Sequence, residues 1–238
     1  RSGARVLVVT KAATEDDGSL DPIRGAGVEV VVLDSPQSTS ILNVYESEDR
    51  ERRTVTLLSQ ALPFDIDEIP QTVPRIYHLA GLFKGEIPTD FIDQLSKRAK
   101  VGLDAQGVLR CNEDGRLLFR DWEDKLSYLK NIAYLKTDAA EAEILTGESD
   151  RIRAARILFE QGAGEVMVTH NTEVLVFDGS AVHRAPFTPR NLSGRTGRGD
   201  TCFAAYLARR LNHEPGDAVR FAAALTSIKM ESPGPFSG

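Results

Sequence analysis

The sequence has little that would tie it to a metal scaffold, a membrane or a nucleic acid. Only two cysteines occur in 238 residues, Cys111 and Cys202, far apart and in no CxxC pair. A zinc site or disulfide framework is therefore not expected, and a reducing, cytoplasmic setting is the simpler reading. No run of 18 apolar residues occurs, so no membrane-spanning helix is expected, and the N-terminus carries no signal-peptide pattern. Lys and Arg number 29 against 35 Asp and Glu, a formal charge of -6. Without a basic excess no overall field draws in a phosphate backbone, so no nucleic-acid partner is expected. A GK[ST] P-loop is missing too. The densest glycine cluster has the order GxxGxG rather than the GxGxxG of a dinucleotide fold.

What is present suits a soluble α/β protein. Hydrophobic residues make up 41% and charged residues 27%, enough to bury a substantial core. Short β-branched runs read as buried strands at 5–10, 28–33, 75–79, 100–103, 132–135 and 165–169. Helical patterns lie between them at 90–100, 139–146 and 150–161, with Gly147 as a C-cap and Asp150 as an N-cap. Strands alternating with helices imply a mainly parallel sheet covered on both faces, a three-layer α/β/α fold. Two stretches break the rhythm. Residues 40–58 read as a polar hairpin, either a lid over a site or a solvated edge ribbon. Residues 174–184 read as a second hairpin turning at Asp178-Gly179.

The segment richest in chemistry is Ser193-Gly194-Arg195-Thr196-Gly197-Arg198-Gly199-Asp200, which leads into a helical pattern through Phe203, Ala204, Leu207 and Leu211. A glycine turn entering a helix presents backbone N–H groups at the positive end of the helix dipole and suits a phosphoryl group. Arg195 and Arg198 add positive charge. Asp200 in the first turn suits a general base for a hydroxyl, and it equally suits a helix cap. Asp138 and Glu141, three apart on one helix face, suit a hydrated Mg²⁺ or a solvated helix start. Asp104-Ala105-Gln106…Arg110 follows a buried strand, where ligands of open sheets gather; it reads as a ligand loop or as a turn with an Asp104–Arg110 ion pair. His78, His170, His183 and His213 have no metal-ligand spacing, and Trp122 reads as packing rather than a ligand platform.

Thr196–Asp200 resembles the TGAGD signature of ribokinase-type (PfkB) carbohydrate kinases, with Arg198 in place of Ala. Lys136–Gly147 resembles the family's NxxE segment, with Asp138 in place of Asn. Val166–Asn171 resembles the strand ending in T-x-G, with Asn171 in place of Gly. Residues 220–227 resemble the helix beside the adenine. The resemblance runs from about residue 4 to the end and implies one ribokinase-like domain with a β lid at 40–58. It implies transfer of the ATP γ-phosphoryl group to a sugar or cyclitol hydroxyl. Asp200 is then the base, and Gly197, Arg198 and Gly199 form the anion hole. Glu141 acts on Mg²⁺ through water. Asp138, Thr169, Asn171, Arg195, Thr196, Ala223 and Ser227 hold the nucleotide, while Gly81, Asp104, Gln106, Arg110 and Asp200 hold the acceptor. The 104–110 and 135–142 segments resemble myo-inositol kinases more than ribokinases, which favours a cyclitol. A nucleoside kinase, or a ligand-binding protein that kept the fold, are the alternatives, and pairing of two copies through the lid is a further expectation. Family members usually begin with another strand, an early acidic substrate residue and a Gly-Gly-Asn-like segment. None precedes Ala4, so the sequence reads as lacking its N-terminal part, and its C-terminus also stops early.

Overall fold

The computed structural model describes residues 3–45, 53–194 and 196–234. In chain order the elements are β1 (Leu7–Ala12), α1 (Asp21–Gly25), β2 (Glu29–Asp34), β3 (Ser40–Tyr45), β4 (Arg53–Ser59) and β5 (Ile76–Leu79). There follow α2 (Asp90–Ser96), β6 (Lys100–Asp104), α3 (Gln106–Leu109), β7 (Arg110–Glu113), β8 (Arg116–Phe119) and α4 (Lys125–Tyr128). The rest is β9 (Tyr134–Asp138), α5 (Ala139–Thr146), α6 (Arg151–Glu160), β10 (Glu165–Thr169), β11 (Glu173–Phe177), β12 (Val182–Pro186), α7 (Arg198–Arg210) and α8 (Pro215–Met230). Strands alternate with helices along the chain, as the sequence pattern leads one to expect.

The central sheet has the order β12-β11-β10-β9-β6-β5. Its four strands β10, β9, β6 and β5 are parallel, and β11 and β12 close one edge as an antiparallel hairpin. Alternation sorts its side chains between two cores. Leu103, Leu135, Val166, Val168, Leu175 and Phe177 pack on the face of α2, α5 and α6. Tyr134, Met167, Val174 and Val176 pack on the opposite face, against Phe203, Tyr206 and Leu207 of α7 and Ala222 and Met230 of α8. A residue such as Phe203, fully buried, contributes about 1.5–3 kcal/mol by leaving water.

Several expectations shift. β1 and β2 pair only with each other, as a separate parallel sheet, because strand pattern does not name a partner. β9 starts two residues later than read and runs on through Lys136-Thr137-Asp138, since Ile132 ends a 3-10 turn and the polar tail still pairs with β10. α2 stops at Ser96, four residues before β6 begins. The β lid has four strands in the order β3-β4-β8-β7, not two. β7 and β8 escaped notice because each is four residues long and lies over fifty residues beyond β4. Val55 of the lid packs with Leu117 and with Phe83, from the loop after β5. Residues 46–52, the middle of the expected lid hairpin, lie outside the described residues. Trp122 is buried and stacked on Tyr128.

Candidate active site

The parity that builds the second core also builds the site. On the α7 face the side chains at the carboxyl ends of β5, β6, β9 and β10 are no longer apolar. Register pairs His78 with Gly102, Asp104 with Lys136, and Thr169 with Asp138. Gly102 leaves room for α7: a Cβ there would lie 3.1 Å from Leu207 and 3.4 Å from Phe203. The helix therefore sits low over the sheet and carries its N-terminus across Asp104 and Lys136.

That N-terminus is glycine-capped. Gly197 has φ 80°, a left-handed conformation that glycine adopts without strain, and no side chain caps the helix. Asp200 is the third helical residue, its carboxylate exposed. It does not act as the cap, so the cap reading fails and the carboxylate is left facing solvent beside the loop. Of the expected core positions after it, Phe203 and Leu207 are buried, whereas Ala204 is exposed. Upstream, Gly194 is pressed onto the end of α8. Its N–H donates to the Met230 carbonyl at 2.8 Å, and Lys229 Nζ donates to the Gly194 carbonyl at 2.7 Å. Burial draws the Lys229 ammonium below its usual range, while Asp200 works the other way.

Beneath Gly199 lies a buried charged trio. Lys136 Nζ is 3.0 Å from Asp104 Oδ1 and 3.8 Å from Glu141 Oε2. Burial alone would lower the Lys136 ammonium, but Glu141 and Asp104 together hold it above its usual range. Burial pushes the Glu141 carboxyl up to about 7, against the pull of Lys136. The expected Asp104–Arg110 ion pair does not form. Asp104 is taken by Lys136 and by the Gln106 N–H, while Arg110 donates to Gln106 Oε1 at 2.7 Å and to the Leu82 carbonyl. The physical reason is that Lys136 emerges from the adjacent strand directly opposite Asp104, whereas Arg110 already belongs to β7 of the lid.

The remaining residues fall into four groups. Arg198 donates to Asn171 Oδ1 at 3.1 Å, joining the loop to the end of β10, and Thr196 is exposed beside it. Arg195 lies outside the described residues. Thr169, Ala223 and Ser227 are buried. Thr169 Oγ1 donates to the Thr137 carbonyl, and Ser227 Oγ donates to Ala223 and accepts from the Thr188 N–H. Gly81 is buried, its backbone against Gly107 so closely that a Cβ on Gly107 would stand 3.1 Å from Gly81 Cα. Among the described residues no cluster of three His, Cys, Asp or Glu could hold a metal. Mg²⁺ needs only one or two carboxylates when substrate phosphates complete its shell. Asp138 and Glu141 have the donor type that such a role asks for: each engages one carboxylate oxygen in the cap of α5 and keeps a second one, Asp138 half-buried and Glu141 buried.

Sequence reasoning missed Lys136, Lys229 and His78. A lone lysine inside the apolar run Ala133–Thr137 was the signal for the first. The His78 ring packs edge-on to Phe203 at 5.0 Å from the carboxyl end of β5. Also missed was a cleft of about 400 Å³ between β1, the lid and the loop after β5. Thr10, Lys11, Asp16, Ser38, Thr39 and Glu86 give it a polar lining. The whole lining comes from five segments that only tertiary structure joins. Lys11 is pinned by Glu68 and the Pro63 carbonyl; Glu86 accepts from Thr39 Oγ1 and from the Leu82 N–H.

Among the described residues no helix is long and apolar enough to cross a membrane. No curated protein matches the chain. A pyrophosphate-dependent kinase in the ribokinase family, solved as a sulfate complex, superposes with TM-score 0.93 at 41% identity, over 98% of this chain and 84% of that one. Such a kinase complexed with a pyrophosphate analog and myo-inositol gives 0.92 at 40%, with the same coverage. A pyrophosphate-dependent myo-inositol-1 kinase converted into a myo-inositol-3 kinase gives 0.91 at 40%, over 98% and 82%. The model of the pfkB family carbohydrate kinases matches residues 1–237, and with the fold and the loop at Asp200 this makes the chain a member of that family, a ribokinase-like carbohydrate kinase.

Proposed function

We propose that the protein transfers a phosphoryl group from inorganic pyrophosphate to a hydroxyl of a cyclitol, with myo-inositol the first acceptor to test. The observation that carries this reading is the exposed Asp200 carboxylate beside the glycine-capped start of α7. Asp200 accepts the proton of the attacking hydroxyl. The amides of Gly197, Arg198 and Gly199 receive the negative charge of the phosphoryl group in flight. Arg198, held by Asn171, and Lys229 line the donor side with positive charge. Mg²⁺, when bound, neutralises the donor phosphates, and Asp138 and Glu141 would hold its waters.

The sequence reading expected ATP. Two facts favour pyrophosphate instead. The similar solved kinases are described as pyrophosphate-dependent. Ala223 and Ser227, assigned to an adenine wall, are packed into the core. The cleft supports a polyol acceptor over a nucleoside, since half of its lining residues carry hydroxyl or carboxylate groups and Phe64 is the one aromatic ring among the described residues that line it. On this reading Gly81 and the Gln106–Arg110 pair support the cleft floor beside Leu82 rather than lining it. The outward Leu42, Val44 and Leu58 of the lid support pairing of two copies, which light scattering tests.

The deciding experiment crosses two donors, pyrophosphate and ATP, with cyclitols, hexoses, pentoses and nucleosides, and follows the phosphorylated product. Turnover of a cyclitol with pyrophosphate is expected. Turnover with ATP alone would overturn the donor; turnover of nucleosides alone would overturn the acceptor. No transfer to any acceptor would favour a ligand-binding role.

A further inference from the structure

Lys136 is a buried charge that the transfer reaction, as described, does not use. Taking an ammonium out of water costs several kcal/mol, and a packed apolar side chain of similar volume is often the more stable choice. Its placement is specific nonetheless. Alternation along β9 turns it to the α7 face, and register sets it opposite Asp104. The N-cap of α5 brings Glu141 to its other side. Above it the loop comes so close that a Cβ on Gly199 would lie 3.2 Å from both Cε and Nζ. The ammonium thus lies close under the Gly197–Gly199 segment, which the proposed reaction uses as its anion hole.

We propose that Lys136 is a fixed cation of the donor site: tethered by Asp104 and Glu141, it supports the Gly197–Gly199 loop from below and lays positive charge under the transferred phosphoryl group. The inference rests on the reading of that loop as the anion hole. Lys136 acts through the loop and is a positioning residue. In a site shielded from water a fixed charge aimed at developing charge is worth far more than one in solvent, and it costs no reorganisation. Lys136 also neutralises Asp104, which would otherwise repel the donor.

The test compares wild type with Lys136→Met, Asp104→Asn and the double variant, all as the full chain. The double variant removes one charge of each sign, so it leaves no unpaired partner at Asp104 and guards against a single variant that fails to fold. Calorimetry with pyrophosphate, ATP and sulfate reads the anion hole without requiring turnover. Kinetics then separate kcat from the acceptor KM. In the folded double variant, anion affinity is expected to fall about tenfold and kcat about 10²-fold, with acceptor KM little changed. Asp104→Asn, which keeps the ammonium, is expected to bind the anions better than the double variant. A folded double variant with wild-type anion affinity and kcat would show Lys136 to be a core counter-ion and overturn the proposal. Wild-type protein that binds none of the three anions would instead overturn the anion hole itself, and Lys136's role with it. Wild type that binds anions but phosphorylates no acceptor would sink the proposed function while the binding comparison still decides Lys136.

Discussion

Asp138 and Glu141 hold each other across the first turn of α5. The Asp138 N–H donates to Glu141 Oε2 at 2.7 Å, and the Glu141 N–H donates to Asp138 Oδ1 at 2.8 Å. This reciprocal cap satisfies two N–H groups that the helix itself cannot. It also fixes Glu141 in the buried position where it faces Lys136.

Glutamine can keep that cap while losing the charge, so Glu141→Gln isolates electrostatics. We expect a raised Mg²⁺ requirement for half-maximal activity; an unchanged titration would remove Glu141 from the metal's surroundings. Stability carries a second signature. The folded-state pKa of Glu141 is raised by burial to about 7, above its ordinary value of 4.5. The folded state therefore keeps this proton where the unfolded chain has lost it. The associated stability is complete below pH 4.5 and fades as pH rises towards 7. Glu141→Gln should flatten this fall in melting temperature across that window; an unaltered slope would show that Glu141 does not cause it.

Asp200→Asn is expected to lower turnover by about 10²–10⁴-fold. Melting temperature should barely move, because Gly197 caps α7 and no side-chain cap is lost. Wild-type turnover by this variant would exclude Asp200 as the base.

Gly194 has no space for a methyl group: a Cβ would fall 1.9 Å from the Ser232 carbonyl oxygen and 2.9 Å from that of Lys229. Gly194→Ala should therefore push the loop off α8, costing about 1–3 kcal/mol as overpacking does. Activity should fall with it, since the same loop carries Gly197. Denaturant melts that match wild type would contradict this close approach.

Asp16 lines the polar cleft from an exposed position in the 3-10 helix Thr14–Leu20. If it holds an acceptor hydroxyl, Asp16→Ala should raise the acceptor KM by about 10–100-fold, the worth of a hydrogen bond to a charged group. Donor KM should stay as it was. An unchanged acceptor KM would move the acceptor out of this cleft.

The sequence by itself determined the layers, because two-residue and 3.6-residue periodicities are local properties. β10 and α5 lie where the pattern put them, and Gly147 ends α5 with φ 72° as its lack of a side chain allows. The glycine spacing before Asp200 was legible for the same reason: a turn that leads into a helix is encoded within a few residues. Tertiary structure alone decided the rest. It separated β1 and β2 from the main sheet, added β7 and β8 to the lid, and gave Asp104 to Lys136 instead of Arg110. Each of those outcomes depends on which strand lies beside which, and strand partnership is a long-range pairing that no local pattern carries. The polar cleft is the extreme case, for its lining comes from segments up to 76 residues apart, from Thr10 to Glu86.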